Sequence, residues 1–147
     1  MRRKRAFTLV ELLLVIAIFM ITFAALTPIV NKMQERAHMI KCMNNARSIS
    51  LALHMYAADH GEAFPKALGA LYPDYIKNEK IFDCPASAVR GTKESPGYEY
   101  VAGLTESSDG SAVVLYDKEG NHSRFGRNVV RVSGLVELEQ SGSGKPK

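Results

Sequence analysis

The feature that most constrains this chain is an uncharged, mainly apolar run over residues 12–31, close to the N-terminus. A helix needs about 20 apolar residues to cross roughly 30 Å of hydrocarbon, and this run has that length. The acid at its edge is Glu11, and a carboxylate beside a membrane-length segment is costly to bury without a partner. The sequence therefore predicts one membrane-spanning helix, with an acidic residue at its edge that needs a partner for its charge.

Basic residues cluster just before this run, at Arg2-Arg3-Lys4-Arg5. Those four residues supply +4, which equals the formal net charge of +4 for the chain of 147 residues, so the remaining side chains sum to zero. A nucleic-acid-binding protein needs a basic patch on its folded domain, so this charge does not predict nucleic acid as a partner. The positive-inside rule instead predicts that the chain crosses a membrane once, with its basic N-terminus on the cytoplasmic side and its C-terminal domain on the other.

A cleaved secretory signal is the competing interpretation of the same segment. Such a signal has an apolar core of about 7–15 residues that ends at a small-residue cleavage site. Ala24-Ala25 would provide that site. Because this interpretation leaves Phe7-Thr8-Leu9-Val10-Glu11 without a role, a retained helix is favoured.

The N-terminal segment resembles the type IV prepilin family, which includes the pseudopilins of type II secretion systems. The resemblance rests on the basic residues, on Phe7-Thr8-Leu9-Val10-Glu11 and on the apolar run that follows. It implies that residues 1–6 are a leader peptide, that a prepilin peptidase cuts between Ala6 and Phe7, and that the new Phe7 amine is methylated. Most members have Gly before the cut, where this chain has Ala6, which is also small.

The same resemblance implies a role in filament assembly for the first half of the helix, residues 7–30. Glu11 of an incoming subunit would face the Phe7 amine of its neighbour, which offsets the desolvation of both charges and sets the register between helices. The alternative is that Glu11 extends to the lipid headgroups in a simple membrane anchor. Pro28 removes a backbone donor and predicts a helix kink, and many members carry a proline at this distance from the mature N-terminus.

Beyond the apolar run, the sequence predicts that the helix continues to about Ala58. Gly61 follows as the expected C-terminal cap residue. Apolar residues in this second half recur at steps of three or four, which is the helix period, and the stripe comprises Val30, Met33, Ala37, Ile40, Met43, Ala46, Ile49, Leu53 and Tyr56. Such a helix needs a domain to pack against.

The rest of the chain predicts a short helical turn followed by strands. The turn is expected around residues 68–76, an extended piece over 82–85 and a loop over 86–96. Strands are expected over residues 98–104, 112–116, 128–132 and 135–138, with a two-residue hairpin at Ser133-Gly134. The predicted fold is therefore α+β, and the resemblance to prepilins implies that it is pilin-like. A long N-terminal α-helix packs on a small antiparallel β-sheet, in a periplasmic domain over 31–140 that ends in a flexible tail over 141–147.

The C-terminal part carries a second resemblance, to prepilin-type proteins whose last hairpin carries a His and a downstream Asp-Gly-His. It rests on Asn121-His122, on residues 126–130 and on residues 133–137. Ser133 stands where that Asp is usual and Leu135 where that His is usual, so the hairpin is interpreted as structural.

The chain has two cysteines, Cys42 and Cys84. With the basic end in the cytoplasm, both lie in an oxidising compartment, which favours a disulfide between them. Two buried free thiols are the alternative. A metal site formed by Cys42 with His38, one helical turn earlier, offers two ligands and is disfavoured.

Asp109 and Asp117 are weak candidates for a Ca²⁺ site near strand ends, because major pseudopilins often hold calcium in their C-terminal loops. The sequence has no EF-hand order, and turn chemistry accounts for Asp109-Gly110, so no cofactor is predicted. It also has no recognisable nucleophile–base framework, so no enzymatic activity is predicted.

The resemblance thus predicts a structural subunit of a type IV pilus-like filament or of a type II secretion pseudopilus. Its partners would be further copies of itself, membrane lipid, the prepilin peptidase, and an inner-membrane assembly platform with its ATPase. The alternative is a single-pass, membrane-anchored periplasmic binding module whose helix is only an anchor.

Overall fold

The computed structural model describes residues 8–87, 89–122 and 125–140. The predicted leader, the cleavage residues Ala6 and Phe7, and the predicted tail lie outside the described residues. Contacts divide the chain into two units, Met1–Gln34 and Glu35–Lys147.

A single helix, α1, covers Leu9–Asp59, close to the predicted limits. At its start, the Glu11 N–H donates to Thr8 Oγ1 at 3.2 Å, which satisfies a backbone donor that the helix itself leaves unpaired. Within the first unit, every α1 side chain that the structure describes is exposed. By length and composition alone, α1 is able to cross a membrane. The helix continues through Pro28, and the kink there stays a prediction.

In the second unit, α1 buries one face, formed by Cys42, Ala46, Ile49, Leu53 and Ala57. These positions follow steps of four and three, which keep side chains on one side of a helix with 3.6 residues per turn.

The predicted stripe is confirmed at Ala46, Ile49 and Leu53 but is wrong at its N-terminal end, where the exposed members are Val30, Met33, Ala37 and Ile40. Ile40 is nine residues before Ile49 and connects to it by three consecutive steps of three. At about 100° per residue those steps turn the side chain to the opposite side of the helix.

Two short 3₁₀ helices connect α1 to the sheet. The first, Leu68–Leu71, confirms the predicted helical turn. The second, Glu79–Phe82, corrects the expected extended piece, which begins inside this helix. The Asn78 side chain accepts a hydrogen bond from the Lys80 N–H at 3.1 Å and so stabilises the turn.

The sheet has four antiparallel strands in the order β1-β2-β3-β4. The strands are β1 Tyr98–Tyr100, β2 Val113–Asp117, β3 Arg127–Arg131 and β4 Val136–Glu139. All four were expected, but β1 is shorter than predicted and ends before Gly103, whose φ of 89° is incompatible with a continuing strand. The fold is therefore α+β and pilin-like, as predicted.

The last hairpin differs from the prediction in the length of its loop. The Arg131 N–H donates to the Leu135 carbonyl at 2.9 Å, so three residues, 132–134, connect the paired positions. Gly134 has a φ of 81°. A glycine in the left-handed region at the end of a three-residue loop is a common hairpin solution, which the two-residue interpretation missed.

The core joins the buried face of α1, the 3₁₀ segments and the sheet. Its members include Phe82 from the second 3₁₀ helix, Leu115 from β2 and Val130 from β3, together with the five α1 residues of the buried face. Leu115 and Val130 are partners across the β2–β3 pair. The helix therefore provides one wall of the core and the sheet provides another.

Two leucines on α1 test this packing. Leu53 is 1% exposed and Leu51 is 63% exposed. We expect Leu53→Ala to lower the free energy of unfolding by about 2–5 kcal/mol, because it leaves a cavity in the core. Leu51→Ala removes the same atoms from the surface and should change it by less than about 0.5 kcal/mol. Urea unfolding of the full chain in detergent micelles measures both values, and equal losses would contradict the packing.

Candidate functional site

Glu11 lies in the first turn of α1, with an exposed side chain. The N-terminal end of a helix carries a partial positive charge, so a carboxylate in the first turn is electrostatically favoured. The expected partner of Glu11, the Phe7 amine, lies outside the described residues. The pairing of Glu11 with Phe7 therefore stays a prediction.

Polar side chains in the apolar half of α1 are satisfied within the helix itself. The Thr22 hydroxyl donates to the Ile18 and Phe19 carbonyls, each at 2.9 Å. The Thr27 hydroxyl donates to the Ala24 carbonyl at 2.9 Å. Because lipid offers no hydrogen-bond partners, hydroxyls bonded to their own helix suit a membrane-facing surface.

A second candidate site is a buried polar cluster of Cys42, Cys84, Asp117 and His122. Cys42 comes from the buried face of α1, and Cys84 follows the second 3₁₀ helix. Asp117 is the last residue of β2, and His122 follows it five positions later in the chain. Four parts of the second unit therefore meet at this cluster.

Cys42 and Cys84 form a disulfide in the structure, with their Cα atoms 5.4 Å apart. That separation is normal for two cysteines in a disulfide. The bond attaches α1 to the segment that leads into the sheet.

His122 faces both the sulfur and the carboxylate through one ring nitrogen. His122 Nε2 lies 3.5 Å from Cys84 Sγ and 3.7 Å from Asp117 Oδ2. In a catalytic triad the acid contacts one nitrogen of the ring and the nucleophile the other. The cluster therefore does not form a nucleophile–base–acid relay.

Burial controls the electrostatics of this cluster. Burial raises the pKa of Asp117, against the hydrogen bonds from Asn128 and the attraction of His122. Burial also lowers the pKa of His122, although the nearby Asp117 carboxylate acts in the opposite direction. Both shifts favour the neutral forms of the two side chains.

Asn128 fixes the orientation of the Asp117 carboxylate. The Asn128 backbone N–H and its side-chain Nδ2 each donate to Asp117 Oδ2 at 2.8 Å. The other oxygen, Oδ1, is buried and has no hydrogen-bond partner among the described residues. The carboxylate is thus held in place with one oxygen still able to accept a ligand or a proton.

The two weak calcium candidates lie in different surroundings. Asp109 is exposed and its Oδ1 accepts hydrogen bonds from the Ser111 N–H at 2.9 Å and the Ser111 hydroxyl at 2.8 Å. These hydrogen bonds lower the pKa of Asp109. Asp117 instead lies in the buried polar cluster, of which Asp109 is not a member.

The sequence does not predict that His122 lies beside the two cysteines. The disfavoured metal site uses His38 as a second ligand beside Cys42, but His38 is exposed and is not one of the four residues of the cluster. In the sequence, Asn121-His122 belongs to the C-terminal resemblance, in which the hairpin is interpreted as structural. No linear spacing connects positions 42, 84, 117 and 122, because the sheet and the helix bring them together.

Comparison with known families locates one match at the N-terminus. Residues 1–27 match the family described as the prokaryotic N-terminal methylation motif. No curated protein and no solved structure gives a significant match to the chain. The matched residues are those that carry the prepilin resemblance, which is thereby confirmed.

The disulfide provides a test of the second unit. Cys42 and Cys84 are separated by 42 positions, and removing a cross-link over such a loop should cost about 4 kcal/mol in the chain-entropy account. We expect Cys42→Ser/Cys84→Ser to lower the melting temperature in buffer with chelator, and phosphine-reduced wild type to melt at the same lower temperature. A wild-type melting temperature that reductant leaves unchanged would contradict the bond.

Proposed function

This chain carries the N-terminal methylation motif of the type IV pilin- and pseudopilin-like family, and we propose that it polymerises into a filament through its N-terminal helix. The filament is a type IV pilus-like fibre or a type II secretion pseudopilus. Proteins of this family are structural and generally non-enzymatic. In this proposal the chemistry is performed on the chain rather than by it.

The observation that carries this proposal is the exposed apolar half of α1, most of which lies within the methylation motif at residues 1–27. Its large hydrophobic side chains include Leu13, Ile16, Phe19 and Phe23, all exposed. Exposed apolar area of this extent requires lipid or another apolar surface to cover it. Lipid covers it in the inner membrane, and the helices of neighbouring subunits cover it in the filament.

Processing creates the charge that Glu11 needs. A prepilin peptidase cuts between Ala6 and Phe7, and the new Phe7 amine is methylated. A methylated amine remains basic, so it offers a positive charge to the Glu11 carboxylate of an adjacent subunit. Because each unpaired charge would be strongly disfavoured in the apolar interior, their pairing selects one register between neighbouring helices.

The topology follows from the charge distribution. The basic N-terminal residues stay in the cytoplasm, α1 crosses the inner membrane once, and the second unit lies in the periplasm or outside the cell. An oxidising compartment suits the Cys42–Cys84 disulfide. Assembly uses an inner-membrane platform and a cytoplasmic ATPase, which supply the work of extracting the helix from lipid.

Replacement of Glu11 tests the assembly role. We expect Glu11→Leu to insert in the membrane and to be processed, but to be absent from sheared filament fractions, because the Phe7 amine of its neighbour has no partner. Glu94→Leu is the matched control, since it removes an exposed acid from the second unit, and it should assemble normally. Normal assembly of Glu11→Leu would contradict the pairing, and absence of the wild-type chain from the filament fractions would favour a simple membrane anchor.

Mass spectrometry of the mature protein tests the processing step. We expect the mature chain to begin with N-methylated Phe7, and Ala6→Leu to block cleavage, because the peptidase accepts a small residue before the cut. Ala6→Gly is the control that should be processed at least as completely as wild type. An intact Met1, or a chain that begins after Ala25, would contradict the proposal.

A further inference from the structure

We propose that the chain with reduced cysteines binds one Zn²⁺ through Cys42, Cys84, Asp117 and His122. This site is independent of the filament role and would be present whether or not the chain polymerises.

The chemistry of the four ligands is the first support. Two sulfurs, one imidazole nitrogen and one carboxylate oxygen are the donor types that zinc takes in tetrahedral sites. All four residues are buried, and the four ligand atoms lie within 4.8 Å of one another. A closed, four-ligand set inside a core is typical of structural zinc rather than catalytic zinc.

Two of the six edges between the ligand atoms have the length that a tetrahedral zinc site requires, and the Cys42–Cys84 edge is a disulfide that must first open. Zinc bonds of about 2.0–2.3 Å correspond to ligand–ligand edges of roughly 3.3–3.8 Å. The edge between Cys84 Sγ and His122 Nε2 measures 3.5 Å, and the edge between His122 Nε2 and Asp117 Oδ2 measures 3.7 Å. A single ring nitrogen that faces both neighbours is the arrangement that a shared central ion requires.

The surroundings of Asp117 provide a second, independent observation. Its Oδ2 accepts two hydrogen bonds from Asn128, which orient the carboxylate as outer partners do for metal ligands. Its Oδ1 is buried without a hydrogen-bond partner among the described residues. Buried polar groups are normally fully paired, so a carboxylate next to His122 that the described residues leave one partner short points to a further ligand.

The metal and the disulfide exclude each other, because zinc binds thiolates. A phosphine opens the disulfide by attacking one sulfur, and water then releases the phosphine oxide and two thiols. A dithiol achieves the same two-electron reduction by becoming a disulfide itself. Zinc binding displaces the two thiol protons to solvent, and rotation about the Cα–Cβ bonds lets the sulfurs separate to roughly 3.7 Å, as a tetrahedral site requires.

The charge of the filled site is acceptable for a buried centre. Zn²⁺ with two thiolates, one carboxylate and one neutral imidazole has a net charge of −1. Structural sites with three cysteines and one histidine have the same net charge. The ion would thus hold α1, the segment around Cys84 and the end of β2 together once the disulfide has opened.

Cobalt substitution tests the site in the full chain. The protein in detergent micelles is reduced with a phosphine, freed of metal by a chelator and titrated with Co²⁺. We expect one Co²⁺ per chain, the visible absorption of tetrahedral cobalt, a thiolate-to-cobalt band in the near ultraviolet, and displacement by Zn²⁺. The oxidised chain should show neither band, because its sulfurs are bonded to each other.

Variants assign the ligands. His122→Ala and Asp117→Asn should each weaken metal binding at least tenfold, and Cys42→Ser/Cys84→Ser should abolish the thiolate band. His60→Ala removes an exposed histidine elsewhere and should bind as wild type. The site is overturned if His122→Ala binds as tightly as wild type, or if reduced wild type gives no thiolate band.

Two measurements on wild type keep the test independent of whether the variants fold. X-ray absorption of the zinc-loaded chain should show two sulfur and two nitrogen or oxygen ligands, and any other set contradicts the assignment. Circular dichroism follows the fold of the reduced chain. If reduction unfolds the second unit, zinc should restore it, and a failure to restore it counts against the site.

Discussion

The contact between the sheet and the part of α1 in the second unit is the interaction on which that unit depends. The sheet has four strands of three to five residues each, and an isolated sheet of this size has little apolar area of its own to bury. Ile49 and Leu53 on α1 complete a core with Leu115 and Val130 from the sheet. Because one helix face provides so much of this core, the position of that face determines where the sheet and its connections pack.

The two parts of α1 are therefore under different constraints. In the first unit, α1 has no buried side chain among those described, so its apolar surface is available to lipid and to other subunits. In the second unit, α1 has a buried, mainly apolar face and an exposed face that carries most of its charged residues, so its sequence there is constrained by the core. Substitutions in the first unit should therefore affect membrane insertion and assembly, and those on the buried face should affect folding.

The sequence predicts what depends on local pattern and misses what depends on tertiary packing. The length of α1, the four strands and the methylation motif follow from runs of adjacent residues, and all were predicted. The predicted stripe places Ile40 on the wrong face, because consecutive steps of three rotate around the helix whereas mixed steps of three and four stay on one side. The three-residue hairpin loop depends on the φ of Gly134 and on strand register, neither of which the sequence displays. The buried polar cluster depends on contacts between residues up to 80 positions apart, from Cys42 to His122.

The buried polar cluster is the part of the fold that packing alone does not explain. Asp117 and His122 occupy positions in the core where apolar side chains of similar size would avoid the cost of desolvation. Asn128 offsets that cost at one Asp117 oxygen and leaves the other unpaired, at a penalty of about 1–3 kcal/mol for such a group. A disulfide needs no acid or imidazole beside it, so the Cys42–Cys84 bond does not account for these two residues. A site in which sulfur, nitrogen and oxygen ligands share one ion does account for them, because the buried carboxylate and imidazole then serve as ligands.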